Sequence, residues 1–232
     1  LIGLGSDKKT FIGMSDLDVD RLDNQVKVTV GEHDRQLHHA FCKERLWPLL
    51  HYSIWDKPLL DVSLESSLYR AFEAVNERFC EAVMREYKPG DLVIVIGYHL
   101  ATLSGMLKKR IPQIPIAFFI KCPVSSSEYI KCLPQAKQVV RGAIGANLVI
   151  VQADSFARHC ASFCLRLLNM EKEQVVVNGN MRIVDNDGEV DVELATRWLG
   201  VDVERAKEMR TSYAVLEKVN ELHKLFTTET KV

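Results

Sequence analysis

No run of apolar residues in this chain approaches the ~18 or more that a membrane-spanning helix requires, so no membrane span is expected. Neither sign of charge prevails. Thirty Lys and Arg stand against 31 Asp and Glu, for a net charge of −1, which leaves no broad electrostatic footprint for nucleic acid or an anionic membrane surface. None of the six cysteines (Cys42, Cys80, Cys122, Cys132, Cys160 and Cys164) forms a C-x-x-C pair. Cys160 and Cys164 lie four apart on one helix face, but a zinc site needs three or four ligands and no second pair with suitable spacing follows. No metal is expected, and the cysteines read as reduced core residues in a cytoplasmic compartment. The dinucleotide, P-loop, nucleophile-elbow and zinc-protease signatures are all missing. A signal-peptide pattern is missing too, and the first residue is Leu1 rather than Met. The chain is therefore expected to be a piece of something longer.

What is present is ordinary for a soluble globular chain. Of 232 residues, 47% are hydrophobic and 26% charged, which excludes disorder, a collagen-like repeat and a disulfide miniprotein. At ~150 residues per domain the length suits one large domain or one and a half. Three short continuous apolar runs, Asp91–Ile96, Ile114–Ile120 and Ala146–Val151, suit strands buried in a parallel sheet. Helical segments fill the gaps at Leu100–Arg110, Ser127–Gly142 and Asp154–Leu168, with Asp154 as the N-cap of the last. Leu64–Tyr87 precedes them as a long amphipathic helix whose stripe is Leu64, Leu68, Phe72, Val75, Phe79 and Val83. Gln174–Val177 reads as one more strand. Such alternation implies a Rossmann-like α/β fold, a mostly parallel sheet with helices on both faces. The ends differ: β-like pieces at Thr10–Gly13 and Val26–Val30 flank an Asp-rich loop from Asp16 to Asp23. From Met181 onward the chain turns acidic, 11 Asp and Glu against 8 Lys and Arg, and Val203–Phe226 reads as one helix.

In an open α/β sheet, ligands bind beyond the carboxyl ends of the strands. That directs attention to Gly97-Tyr98-His99, to Lys121–Glu128 and to Gln152–Ser155. Lys121 is the only cation immediately at a strand end, where it could meet a phosphate, with the Ser125–Ser127 run adding backbone donors. His99 beside Tyr98 offers an acid–base pair on paper, but no neighbouring carboxylate orients the ring. Glu128, three residues after Ser125, suits a capping box. His38 and His39 would point about 100° apart on a helix and read from spacing as surface histidines, and His159 as a polar residue near a helix surface.

Several ordered blocks together resemble the trehalose-6-phosphate synthases, retaining glycosyltransferases built from two Rossmann domains (the GT-B architecture). Leu46-Trp47-Pro48-Leu49-Leu50-His51-Tyr52 is similar to that family's LWPxFHY. Lys88–Val93 with Gly97–Leu100 is similar to PGDLVWVHDYHL, and Phe118–Glu128 to FFLHIPFPSSE. Leu133-Pro134, Gly145–Leu148, Phe156–His159 and Gly200–Asp202 follow in family order. The resemblance implies residues 1–208 as the N-terminal GT-B domain, with 209–232 a helix leading to a second domain that lies outside the chain. It also implies transfer of glucose from UDP-glucose to glucose-6-phosphate, the donor being held mainly by that missing half and no other cofactor being needed.

The family's site positions are altered. Ile96 and Gly97 stand where the family has His-Asp, and Lys121 where it has a His near the reacting sugar. His38 aligns with an acceptor-contacting Tyr, Met14 with a Trp, and Trp47 is retained. No confident catalytic residue is left; Trp47, His38, Tyr98, His99 and Lys121 are the expected substrate contacts. Losing several polar groups weakens transition-state binding steeply. The reading is therefore a regulatory or scaffolding subunit with a degraded glucose-6-phosphate site, its partners being other subunits of a trehalose synthase/phosphatase complex or a second copy of itself. The alternative is the N-terminal half of an active synthase in which Lys121 binds phosphate.

Overall fold

Four short strands run parallel: the apolar β4 (Val93–Ile96), β5 (Ile116–Phe119) and β6 (Leu148–Val151), and the alternating β9 (Asp191–Thr196). β8 (Asn180–Val184) and β7 (Gln174–Val177) extend the sheet antiparallel, in the order β4-β5-β6-β9-β8-β7. The computed structural model describes residues 9–14, 21–22, 24–55, 61–170, 174–177, 180–184, 190–198, 200 and 202–228, in two compact units, Leu1–Arg197 and Trp198–Val232. The sequence reading drew its boundary after residue 208. Most of the Asp-rich stretch at 16–23 lies outside the described residues.

The mostly parallel, Rossmann-like arrangement is the expected one. β9 and β8 were not anticipated. Their apolar residues alternate, with Ile183, Val192 and Leu194 buried while Arg182 and Asp191 pair across the rim at 2.7 and 2.6 Å. Six or fewer residues of period 2 inside an acidic stretch are hard to tell from a polar linker. One sheet face, carrying Val95, Phe118, Val149 and Leu194, is fully buried. On the other, Ile94 and Ile96 of the edge strand are about half exposed.

The long helix α3 (Val62–Glu86) forms as its stripe predicts, capped by Asp61, whose carboxylate accepts the Ser63 and Leu64 N–H groups at 2.9 and 3.0 Å. It packs beside α4 (Leu103–Arg110), which packs in turn on α6 (Ala136–Ala143), and α6 on α7 (Asp154–Leu168). The expected helix 127–142 is two, α5 (Ser127–Ile130) and α6, because Pro134 cannot continue one. No Ser125 capping box forms, since the N-cap is Ser126 and the Glu128 carboxylate is taken by Lys131 and Arg166. Ala153 rather than Asp154 is the N-cap of α7. The α4–α6 contact is backbone on backbone. A Cβ on Gly142 would stand 2.6 Å from the Thr102 Cα, and one on Gly145 2.6 Å from the Gly105 Cα.

Near the N-terminus, β1 (Phe11–Gly13), β2 (Arg21–Leu22) and β3 (Gln25–Lys27) form a small separate sheet. A helix then runs from 32 to 50 in three parts: α1 (Glu32–Ala40), a π-helical stretch Phe41–Leu46, and α2 (Trp47–Leu50). The widened turn, in which the Trp47 N–H reaches back to the Cys42 carbonyl, is what Pro48 requires, because its ring would crowd the carbonyl four residues earlier in an α-helix. Arg45 on this stretch grips Glu65 of α3 with three hydrogen bonds of 2.6–3.1 Å, the carboxylate side chain only 8% exposed.

In the C-terminal unit the expected single helix is also two, α8 (Val203–Arg210) and α9 (Tyr213–Thr228). Between them the Thr211 and Ser212 hydroxyls donate to the Glu208 and Met209 carbonyls, a local alternative to the helical ladder.

Candidate functional site

The carboxyl end of β4 passes into Gly97, whose N–H donates to the Phe119 carbonyl at 2.9 Å. Its φ of 90° and ψ of 148° lie where glycine alone is at ease. A single 3-10 turn, Tyr98–Leu100, follows. Two helices hold that turn from behind. The His99 carbonyl accepts from His38 Nε2 at 3.2 Å and from Asn76 Nδ2 at 3.1 Å. His38 is therefore the Nε2–H tautomer. It is buried, at 3% exposure, and stacks on Phe72, which corrects its reading as a surface histidine. A position four residues N-terminal to Cys42 on a helix whose inner face is Phe41, Cys42 and Leu46 belongs to the core side of that helix.

From this anchor a line of rings leads outward. His99 stacks on Tyr98 at 4.1 Å, Tyr98 lies 5.9 Å from Trp47, and Trp47 stacks on His51 at 3.6 Å between ring centroids. Trp47, 39% exposed, carries the Lys43 ammonium 4.7 Å over its ring, a cation–π contact. Burial pushes the His99 pKa down to about 4, helped by His38, Lys43 and His39. Burial also lowers that of His38. Both imidazoles are neutral at pH 7. Burial raises the Tyr98 phenol, whose hydroxyl is enclosed without a partner among the described residues.

Lys121 stands exposed just beyond the end of β5, with no hydrogen bond or ion pair among the described residues. Its loop is pinned one turn further on. His159 Nδ1 lies 2.6 Å from the buried Val124 carbonyl and the Tyr52 hydroxyl donates to the same oxygen at 3.2 Å. Tyr52 takes a left-handed φ of 61° to do so, closing α2 with a Ser53 N–H bond to the Pro48 carbonyl.

The fold thus joins four of the five expected contacts, His38, Tyr98, His99 and Trp47, through rings. No hydrogen bond, ion pair or cation–π contact joins Lys121 to them among the described residues. Met14 lies exposed just past β1. Lys43, His51, Tyr52, Asn76 and His159 were missed as site-shaping residues. Asn76 could have been found, since a polar residue between Val75 and Phe79 on a buried stripe needs partners. No carboxylate contacts any of these side chains among the described residues, and no cluster of three metal-ligating groups occurs there. The site offers an aromatic platform, neutral imidazoles and one cation, Lys43, suited to a ring face and an anion, and no acid–base dyad occurs in it among the described residues.

The sequence profile of glycosyltransferase family 20 matches residues 12–232. The chain belongs to glycosyltransferase family 20. The resemblance read from the ordered blocks is borne out. A trehalose-phosphatase of Schizosaccharomyces pombe is 31% identical over 189 residues, 81% of this chain and 22% of that protein. A trehalose synthase complex regulatory subunit of Saccharomyces cerevisiae, TPS3, is 33% identical over 144 residues, 62% of this chain and 14% of its own length. The N-terminal domain of Candida albicans trehalose-6-phosphate phosphatase superposes with a TM-score of 0.68 at 28% identity, over 88% of this chain and 42% of that one. A Burkholderia xenovorans trehalose-phosphate synthase solved with glucose-6-phosphate gives 0.70 over 91% and 48%, at 18% identity a likeness of fold. This family 20 chain spans 14–22% of the length of the curated relatives it matches and under half of the solved ones. No helix among its described residues is long and apolar enough to cross a membrane.

Proposed function

We propose that this family 20 domain serves trehalose biosynthesis as a non-catalytic regulatory or scaffolding subunit with a degraded glucose-6-phosphate site. The observation that carries the reading is Gly97. At the strand end where the resembling synthases hold a carboxylate, this chain has no side chain, and its backbone sits at a φ of 90° that an L residue adopts only with strain. His38, aligned with an acceptor-contacting tyrosine, is turned inward to hold the His99 carbonyl. Relatives named as a regulatory subunit and as phosphatases support the same assignment, and membership of a trehalose synthase/phosphatase complex follows from it. Six cysteines without a disulfide suit a cytoplasmic setting.

The test is UDP release by the full-length protein supplied with UDP-glucose and glucose-6-phosphate. No release above the uncatalysed background is expected, and robust turnover removes the reading. One observation favours a second reading, an active synthase half: Lys121 is an exposed, uncommitted cation at a strand end, placed to meet a sugar phosphate. Turnover that Lys121→Ala abolishes would establish it.

A further inference from the structure

Beneath the aromatic line, between the sheet and the helices, lies an apolar, partly open cavity of about 60 Å³. Leu46 and Leu50 wall it on one side, Phe118 and Val149 on the sheet side, and Tyr98 and Cys160 complete it. Those two are the only lining side chains that are not pure hydrocarbon, and both are buried. Burial holds the Cys160 thiol protonated. An internal water needs two to four polar partners, whereas apolar cavities stay dry and take apolar guests, a void of ~150 Å³ admitting benzene or xenon. At under half that size, this one fits a xenon-sized atom or a molecule of roughly two or three heavy atoms.

Its position gives it consequence. The Tyr98 ring is a wall of the cavity and also the ring stacked on His99 at 4.1 Å, 5.9 Å from Trp47. Leu46 and Leu50 belong to the same continuous helix as Trp47. We infer that this cavity is a binding site for a small apolar molecule, and that its occupancy is transmitted to the surface site through Tyr98. The inference goes beyond the regulatory reading and does not depend on whether the chain transfers sugar.

Xenon is the probe. Crystals of the chain under xenon pressure are expected to show one xenon atom between Tyr98 and Val149, and in solution saturable shifts of the Tyr98 and His99 ring resonances. Val149→Ile adds a methyl group to the cavity wall; it is expected to abolish xenon binding and raise the melting midpoint by about 2 °C. Absence of xenon from the cavity in the unmodified chain overturns the site. So does undiminished binding in Val149→Ile, or a fall in its midpoint from overpacking. Xenon bound with no shift at Tyr98 or His99 overturns the coupling. If the variant does not fold, the two measurements on the unmodified chain still decide.

Discussion

Restoring a carboxylate at Gly97 is the obvious way to rebuild a sugar grip, and the backbone makes it costly. A Cβ placed there meets only His99 Nδ1, at 3.6 Å, so space is available. The conformation is the obstacle, because a φ of 90° with a ψ of 148° is open to glycine and strained for any L side chain. Residues forced into such regions cost of order 1–3 kcal/mol. The Gly97 N–H bond to Phe119 and the Leu100 N–H bond back to Gly97 hold the turn in place, so relaxation would break one of them. Gly97→Asp and Gly97→Ala should therefore each lose roughly 1–3 kcal/mol in urea denaturation. At about 2–4 °C per kcal/mol for a chain of this size, midpoints fall several degrees. The two losses should agree within about 0.5 kcal/mol, since ordinary side-chain effects at an open surface are of that size. A neutral Gly97→Ala would refute the argument, and so would a stabilised Gly97→Asp. Gly97→Asp with Lys121→His is further expected to leave UDP release at background.

Gly142→Ala and Gly145→Ala each drive a methyl group into the backbone of α4 and should lose ~1–3 kcal/mol or more; thermal melts showing less than half a degree of change would contradict the packing. Acid should destabilise the fold in a defined window. Burial depresses His99 to about 4 and lowers His38, so the unfolded chain, with pKa values near ~6.5, takes up protons first. Stability is then full above pH ~6.5 and lost as the pH falls towards 4; urea midpoints that rise from pH 7 to 5 would reverse the sign, and His99→Gln should flatten the slope. Glu65→Ala strands the Arg45 guanidinium, 14% exposed, and should lose roughly 2–4 kcal/mol. Arg45→Met with Glu65→Leu should recover most of it in the same denaturation series, and a double variant as weak as the single one would show that the pair's own bonds dominate.

Much was legible in sequence because it is local. Period and run length marked α3, β4, β5 and β6, and the Leu46–Tyr52 and Phe118–Glu128 blocks carried the family resemblance. What escaped has a physical reason in each case. β9 is a short strand whose parallel partner β6 lies about 45 residues back, and β8, although it pairs with its sequence neighbours β7 and β9, has too few residues of period 2 to announce itself. The breaks at Pro134 and at Thr211-Ser212 were written in residue type, yet the apolar pattern on either side outweighed them.

By itself the sequence determined an α/β chain of balanced charge, with a synthase-like frame and altered polar positions at Gly97 and Lys121. Only the tertiary structure decided what those positions mean. His38 and Asn76 converge on the His99 carbonyl from α1 and α3, 38 residues apart along the chain, and Tyr52 meets His159 on Val124 across more than a hundred. Hydrogen bonds of that kind are set by how helices pack on the sheet, and the φ of a single glycine by the bonds on either side of it. Neither is encoded in a window of neighbouring residues.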